Sequence, residues 1–381
     1  MAIQPNANIS VHCRQLARRF NPALGSPAAY PLAGNRQTMQ QRFRTRREAP
    51  MRTVILEEHF SLPAASARVD KAVIARRGYK PRALRKDVPN PLAQLPDLGE
   101  ARLKLMDEAG IDVEVLSNSG PGPDLVPGPD GVAMAREIND HLAKACAKYP
   151  ARFAGFASLP MQSPDAAAKE LARTVKEFGF VGAMVNGTTE GRFLDDPSYD
   201  GILAAAEELD VPVYIHPHIP PAAVREAYFS GLPEGAGRVL ETAGWGWHSE
   251  VAVHVLRMVV AGTLDKHPKL KLVIGHMGEM LPMMLDRASQ VFSADIDHLK
   301  RSVPQTILDQ VWITTSGIFN EPPLYAALMT FGIDRVMFSI DYPYSTHMMG
   351  REFLNKIWLA PADMEKFCHG TADKLLKLKV R

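Results

Sequence analysis

The sequence predicts an α/β protein, a single (β/α)8 TIM barrel, on three observations. Eight short β-rich runs recur along the chain, and each is followed by a helical pattern. The clearest runs are apolar until their last residue or two, as strands of a parallel sheet covered on both faces must be. The ionisable residues that close these runs all fall at the carboxyl end of a strand, which is where barrels carry their chemistry.

Strands are expected at 53–58, 112–117, 153–159, 181–186, 211–216, 272–275, 311–315 and 336–340. The runs V-I-L-E-E, V-P-V-Y-I-H, K-L-V-I-G-H and V-M-F-S-I-D show the pattern best. Between them, 130–149 sets Val132, Ala135, Ile138, Leu142 and Ala145 at helical spacing. The segment 163–178 opens S-P-D, an N-cap with proline in the first turn. Helices at 197–209 and 251–264 repeat the theme. Such units with short returns favour a closed barrel over an open doubly wound sheet. No glycine-rich phosphate loop follows the first strand, which argues against a dinucleotide fold. Two connections are long. Residues 61–97 carry seven basic residues from Lys71 to Lys86, and 217–249 hold Trp245 and Trp247. Both leave carboxyl ends of strands, so lid loops are expected after strands one and five.

A chain of 381 residues that is 46% hydrophobic has ample material for one large core. With 44 basic and 42 acidic residues the net charge is only +2, which gives no reason to expect nucleic acid or an anionic membrane as partner. Cys13, Cys146 and Cys368 are too sparse for a disulfide framework and fit a reducing, cytoplasmic setting. No apolar run approaches the roughly 20 residues of a membrane helix. Residues 1–50 differ from the rest: they hold eight arginines and only one acid, Glu48. A transit peptide can have this composition. The plainer expectation is an N-terminal extension that is disordered or not part of the native fold, because Met51 opens a clean strand. The barrel is then expected over 51–381.

Glu57 and His59 are two apart on strand one, so alternation turns both to one face. Burying an acid beside an imidazole is costly unless they share a partner, and a divalent cation is the obvious one. His216, His276 and Asp341 close strands five, six and eight. Glu, His and Asp together suit one divalent ion, Zn or Mn. Glu279, three residues after His276, is expected in the first turn of the following helix, where its carboxylate reaches back to the ring. His218 is a further contact by position but reads better as loop chemistry. His141 and His254 fall inside helices, and His267, His298 and His369 lack a partner pattern. His347 follows strand eight and is a candidate for the mouth. The 17 methionines read as core filler, with Met277, Met280, Met283 and Met284 flanking His276.

The motifs L-E-E-H-F, Y-I-H-P, G-H-M-G-E-M-L-P and F-S-I-D-Y-P, in this order and strand context, resemble those of the amidohydrolase superfamily. More narrowly they are similar to its non-oxidative aromatic acid decarboxylases, such as γ-resorcylate and 2,3-dihydroxybenzoate decarboxylases, related to aminocarboxymuconate semialdehyde decarboxylase. The similarity runs from about Met51 to the end and takes in R-F-A-G-F-A-S-L-P, V-N-G-T and I-T-T-S-G-I-F. The resemblance implies that Glu57, His59, His216 and Asp341 are metal ligands, with His276 and Glu279 as a pair beside the metal. Typical hydrolases of the superfamily begin with H-x-H and add a strand-four lysine. This chain has E-x-H and V-G-A-M-V-N-G, and both departures favour a single metal. The expected reaction is decarboxylation of a hydroxylated aromatic or related unsaturated acid, with Asp341 as a protonated donor to the ring carbon. His276 would hold substrate oxygens, and a basic residue of 61–97 would steer the carboxylate. Hydrolysis of an amide or lactone by the same metal, or a non-catalytic metal-binding barrel, remains open. A dimer or tetramer is expected by analogy.

Overall fold

The computed structural model describes residues 51–79, 87–292 and 295–378, so the expectation for residues 1–50 lies outside the described residues. From Met51 onward the chain forms one unit. Its strands and principal helices follow in strict alternation: β1 Val54–Phe60, α1 Glu100–Ala109, β2 Val113–Asn118, α2 Gly128–Lys148, β3 Phe153–Ser158, α3 Pro164–Phe178, β4 Gly182–Asn186 and α4 Asp200–Glu208. The second half continues with β5 Val213–His216, α5 Gly246–Val260, β6 Leu272–Ile274, α6 Leu281–Phe292, β7 Val311–Thr314, α7 Glu321–Phe331, β8 Val336–Met337 and α8 His347–Lys356. The eight strands lie in sequence order and pair in parallel from β1 to β8, which is the predicted (β/α)8 architecture. Among the described residues no helix is long and apolar enough to cross a membrane.

Two apolar layers explain the nearly unbroken hydrophobic strands. Val54, Leu56, Val113, Val115, Phe156, Met184, Tyr214 and Val273 pack together inside the barrel, where Leu375 and Leu376 near the chain's end join them. The alternate residues Ile55, Leu116, Ala183, Val185, Ile215 and Ile274 face outward, against Ile138, Leu142, Leu171, Ile202 and Val255 of the helices. A strand covered on both sides has no polar face to offer. Helix α2 begins two residues earlier than expected, and it buries Met134 and Asn139 while leaving Val132 at its edge.

The seam between β8 and β1 is closed differently from the other pairs. Regular strand structure in β8 stops at Met337, short of the expected 340. Beyond it, a backbone bond remains, from His59 N–H to the Tyr342 carbonyl at 2.7 Å, and side chains supply further hydrogen bonds. The Ser339 hydroxyl accepts from the backbone N–H groups of Leu56 (3.0 Å) and Glu57 (2.8 Å). It donates to Glu58 Oε1 at 2.8 Å. Glu58 also accepts from the N–H of Ile340 (3.0 Å) and of Tyr342 (2.8 Å). On the other flank, the Thr315 hydroxyl accepts from Ser339 N and donates to Ser339 O.

The expected long connections contain short helices, at Lys71–Arg77 in the first and at Ala222–Phe229 and Glu234–Glu241 in the second. They also touch. Arg77 donates to the carbonyl of Ile219, and Tyr79 O–H meets His218 Nε2 at 2.7 Å. Helix α5 starts at Gly246, so Trp247 and the two residues after it belong to a helix and not to the loop expected up to 249. Of the seven basic residues of the first connection, those from Lys80 to Lys86 lie outside the described residues.

Candidate active site

Strand β1 carries a β-bulge: Ile55 pairs with Glu114, but Glu58 pairs with Leu116, so β1 spends one extra residue. The bulge decides the site. Val54 and Leu56 point into the barrel and Ile55 points out. Without an extra residue, Glu57 and His59 would follow Ile55 to the outside. Instead Glu57 meets the hydroxyl of Tyr214, an interior residue of β5. His216, two residues after Tyr214, needs no bulge to face the same way.

Glu57, His59, His216 and Asp341 converge, with one ligand atom from each lying within 4.8 Å of all the others. His59 Nε2 is 3.3 Å from Asp341 Oδ1, and His216 Nε2 is 3.5 Å from Glu57 Oε1. Atoms bound about 2.1 Å from one ion stand roughly 3–4 Å apart, so these spacings fit a shared divalent cation. Two further observations support the fit. Glu57 Oε1 and His59 Nε2 are buried yet make no hydrogen bond, while Glu57 Oε2 is taken by Tyr214. Ser117 Oγ sits 3.1 Å from His59 Nδ1, which leaves Nε2 as the atom aimed at the centre. Gly275 makes room for the carboxylate: a Cβ there would lie 2.3 Å from Glu57 Oε2.

His276 stands against this cluster, its Nδ1 3.8 Å from Glu57 Oε1 and its Nε2 3.9 Å from Asp341 Oδ2. Glu279 Oε1 takes the His276 Nδ1 hydrogen bond at 2.8 Å, so the expected pair is formed. The route differs from the expected one. Glu279 is not in the first turn of a helix: it ends a short 3-10 turn at φ 51°, and α6 begins only at Leu281. His276, Met277, Glu279 and Met280 all have positive φ, as do Ser316 and Asp341. Non-glycine residues held this way cost about 1–3 kcal/mol each and collect at functional sites.

The chain's own charges set the protonation states. Burial pushes the His276 imidazolium down, but Glu57 and Glu279 outweigh it and hold the group well above its ordinary value. Burial pushes the Asp341 carboxyl up, but the neighbouring His276 and His59 imidazoles hold it below the usual range. The expectation that crowding protonates Asp341 is therefore corrected: two imidazoles outweigh desolvation. Burial, followed by the charge of His59, drives His216 well below its usual value, into the neutral form a metal ligand requires. Burial also raises Glu57.

Several functional neighbours escaped the sequence reading. Tyr214 was legible, being two residues before His216 on the same face. Glu58 and Ser339 close the seam next to Asp341. His248 holds Glu279 from the far side, Nδ1 to Oε2 at 2.7 Å, and no sequence pattern pointed to it. His347 is not at the mouth. It is buried against Glu114 (2.5 Å), which also binds Arg102, and Arg102 in turn donates to the His59 carbonyl at 2.8 Å. Of the basic residues of 61–97, one of which is expected to steer the carboxylate, Arg77 is engaged with carbonyls of the second long connection.

The amidohydrolase family model matches residues 57–378. Decarboxylase orsB of Emericella nidulans is 38% identical over 302 residues, covering 77% of this chain and 90% of that protein. The γ-resorcylate decarboxylase of Rhodococcus jostii is 36% identical over 347 residues, covering 85% and 98%. Among solved structures, a dihydroxybenzoic acid decarboxylase from Polaromonas, with bound manganese and the inhibitor 2-nitroresorcinol, superposes with a TM-score of 0.76 at 33% identity, covering 87% of this chain and 98% of that one.

Proposed function

The chain belongs to the amidohydrolase family, and from that membership we propose that it is a metal-dependent carboxy-lyase that removes CO2 from a hydroxylated aromatic acid. One observation carries the reading: Glu57, His59, His216 and Asp341 offer a four-ligand set for one ion beside a His276–Glu279 pair. Strand β4 ends at Asn186, with no lysine to hold a second metal. The Polaromonas relative holds manganese with a resorcinol inhibitor, which supports the same ion and ligand class here.

A divalent ion, Zn or Mn, held by Glu57, His59, His216 and Asp341 would supply positive charge to attract the acid's carboxylate. The remaining chemistry belongs to the chain. Decarboxylation consumes one proton at the ring carbon that bears the carboxylate. Asp341 delivers it, and His276, whose Nε2 is 3.9 Å from Asp341 Oδ2, is the reservoir from which Asp341 draws it. The protonated ring loses aromaticity, the C–C bond breaks, its electron pair returns to the ring, and CO2 leaves. Glu279 keeps the His276 ring in place. The two connections joined by Arg77–Ile219 and Tyr79–His218 act as lids over this mouth.

The test is product analysis on metal-loaded protein offered mono- and dihydroxybenzoates. Release of CO2 with one new ring C–H is expected, and deuterium enters that position in D2O. Cleavage of amides or lactones with no CO2 from any aromatic acid overturns the reading. Cys146 and Cys368 form no disulfide, which supports a cytoplasmic enzyme. Exposed Met283, Met284, Met329 and Trp358 support a homo-oligomer, dimer or tetramer, to be measured by light scattering.

A further inference from the structure

We propose that His248 is a positioning residue of this reaction: through Glu279 it fixes the orientation and tautomer of the His276 ring. The inference rests on the decarboxylase reading for its catalytic consequence, but its geometry stands apart from it.

His248 lies in the first turn of α5, in the segment W-G-W-H. A Cβ at Gly246 would lie 2.3 Å from the Glu241 carbonyl, so glycine is what lets the chain turn there and deliver the next two side chains. Trp247 Nε1 is 3.1 Å from His248 Nε2. The Ala243 carbonyl is 3.2 Å from the same nitrogen, so Nε2 stands between a donor and an acceptor, and it is the Glu279 carboxylate, which only accepts, that places a proton on His248 Nδ1. That proton is directed at Glu279 Oε2, 2.7 Å away. The other Glu279 oxygen accepts from His276 Nδ1 at 2.8 Å. The polarity at the carboxylate is thereby set: His248 and His276 both donate to Glu279. His276 Nε2 is left facing Asp341.

The same three residues, His248, His276 and Glu279, are close enough to resemble a second metal site. The contacts of 2.7 and 2.8 Å are hydrogen-bond lengths, and each uses the nitrogen and oxygen that a cation would need. A hydrogen-bonded support fits them better. Glu279 is fully buried and held in a left-handed backbone conformation, so the carboxylate relies on its two imidazole partners. Removing His248 strands one buried oxygen and frees the carboxylate to turn, and the His276 ring turns with it. A catalytic group displaced by about 1 Å loses on the order of 100-fold in rate.

The experiment compares the wild type with His248→Ala and His248→Asn, each metal-loaded and assayed on 2,6-dihydroxybenzoate. The Asn amide places an N–H where His248 Nδ1–H stands. His248→Ala is expected to lower kcat roughly 10- to 100-fold, with KM and bound metal within about twofold of wild type, and His248→Asn to restore most of the loss. Equal kcat in His248→Ala, or a loss shared equally by His248→Asn, overturns the proposal. A second readout needs no turnover: 15N spectra of the histidine rings. The His276 Nδ1–H signal is expected to move in His248→Ala and to return in His248→Asn. An unmoved signal overturns the positioning role even if activity falls. A moved signal in a protein that releases no CO2 upholds the geometry and rejects the decarboxylase reading instead.

Discussion

The β4–β5 pair and the β8–β1 seam close the same barrel by opposite means. In the first, Ala183 to Asn186 pair in register with Val213 to His216 through an ordinary backbone ladder. Any residue with an N–H and a C=O can make such a ladder. In the second, a backbone bond, His59 N–H to the Tyr342 carbonyl, is joined by the Ser339 hydroxyl and the Glu58 carboxylate, which stand in for the rest of the ladder. That substitution leaves Asp341 outside strand structure, at φ 68°, between two N–H groups that Glu58 holds. The comparison teaches where this barrel trades regularity for function. The regular pair presents His216 by alternation alone, whereas the seam needs particular side chains to present Asp341.

The largest expected effect is at the residue the seam presents. Asp341→Asn keeps the side-chain shape and removes the proton donor, so kcat for CO2 release falls by at least about 100-fold. Near-normal turnover in that variant would remove Asp341 from the proton step. Next comes the seam itself. Glu58→Ala strands the N–H groups of Ile340 and Tyr342, at about 1–3 kcal/mol each, and releases Asp341, so both thermal stability and kcat drop. The matched change in the regular pair, Ile215→Val, costs only about 0.5–1.5 kcal/mol and leaves kcat alone. If denaturant melts and assays rank these two variants the other way, the contrast between seam and ladder is wrong.

A pH effect sharpens the contrast further. Burial pushes Glu114 up, but Arg102 and His347 outweigh it and hold the carboxyl below its ordinary value of 4.5. A depressed carboxylate stabilises the fold above its unfolded value, and that stabilisation is lost as pH falls through the folded one. The melting temperature of the wild type is therefore expected to fall below about pH 4.5, and Glu114→Gln to fall less steeply over that range, from a lower starting point. Parallel slopes would exclude Glu114 as a source. The smallest effect is expected at the N-terminus. A chain starting at Met51 should keep the kcat and melting temperature of the full chain, as assay and calorimetry would show.

Much of the site was legible because strand ends are legible. His216, His276 and Asp341 close apolar runs, and Glu57 and His59 share a face by the period of two. What was not legible depended on backbone that departs from these periods. Glu279 is expected in the first turn because the helix is read as starting directly after His276, but it stands on a left-handed turn before the helix. Glu58 read as one more polar residue of E-E-H, and its partner Ser339 is 281 residues away. His248 sits in the first turn of α5, in residues expected to belong to the long connection ahead of a helix from 251. Asp341 was read as protonated from crowding alone, since the two imidazoles that hold it ionised come from other strands.

The sequence by itself determined the barrel, its order and the strand ends that carry acid and imidazole groups, because burial of both strand faces writes an apolar run that a polar residue visibly ends. Only the tertiary structure decided which way those groups face and what holds them. One extra residue in β1 turns Glu57 and His59 inward, and His248, Glu58 and Ser339 act on residues distant in the chain. The physical reason is range: hydrophobic periodicity is a local property of the chain, whereas a bulge register and a hydrogen bond between separate elements exist only once the strands have closed.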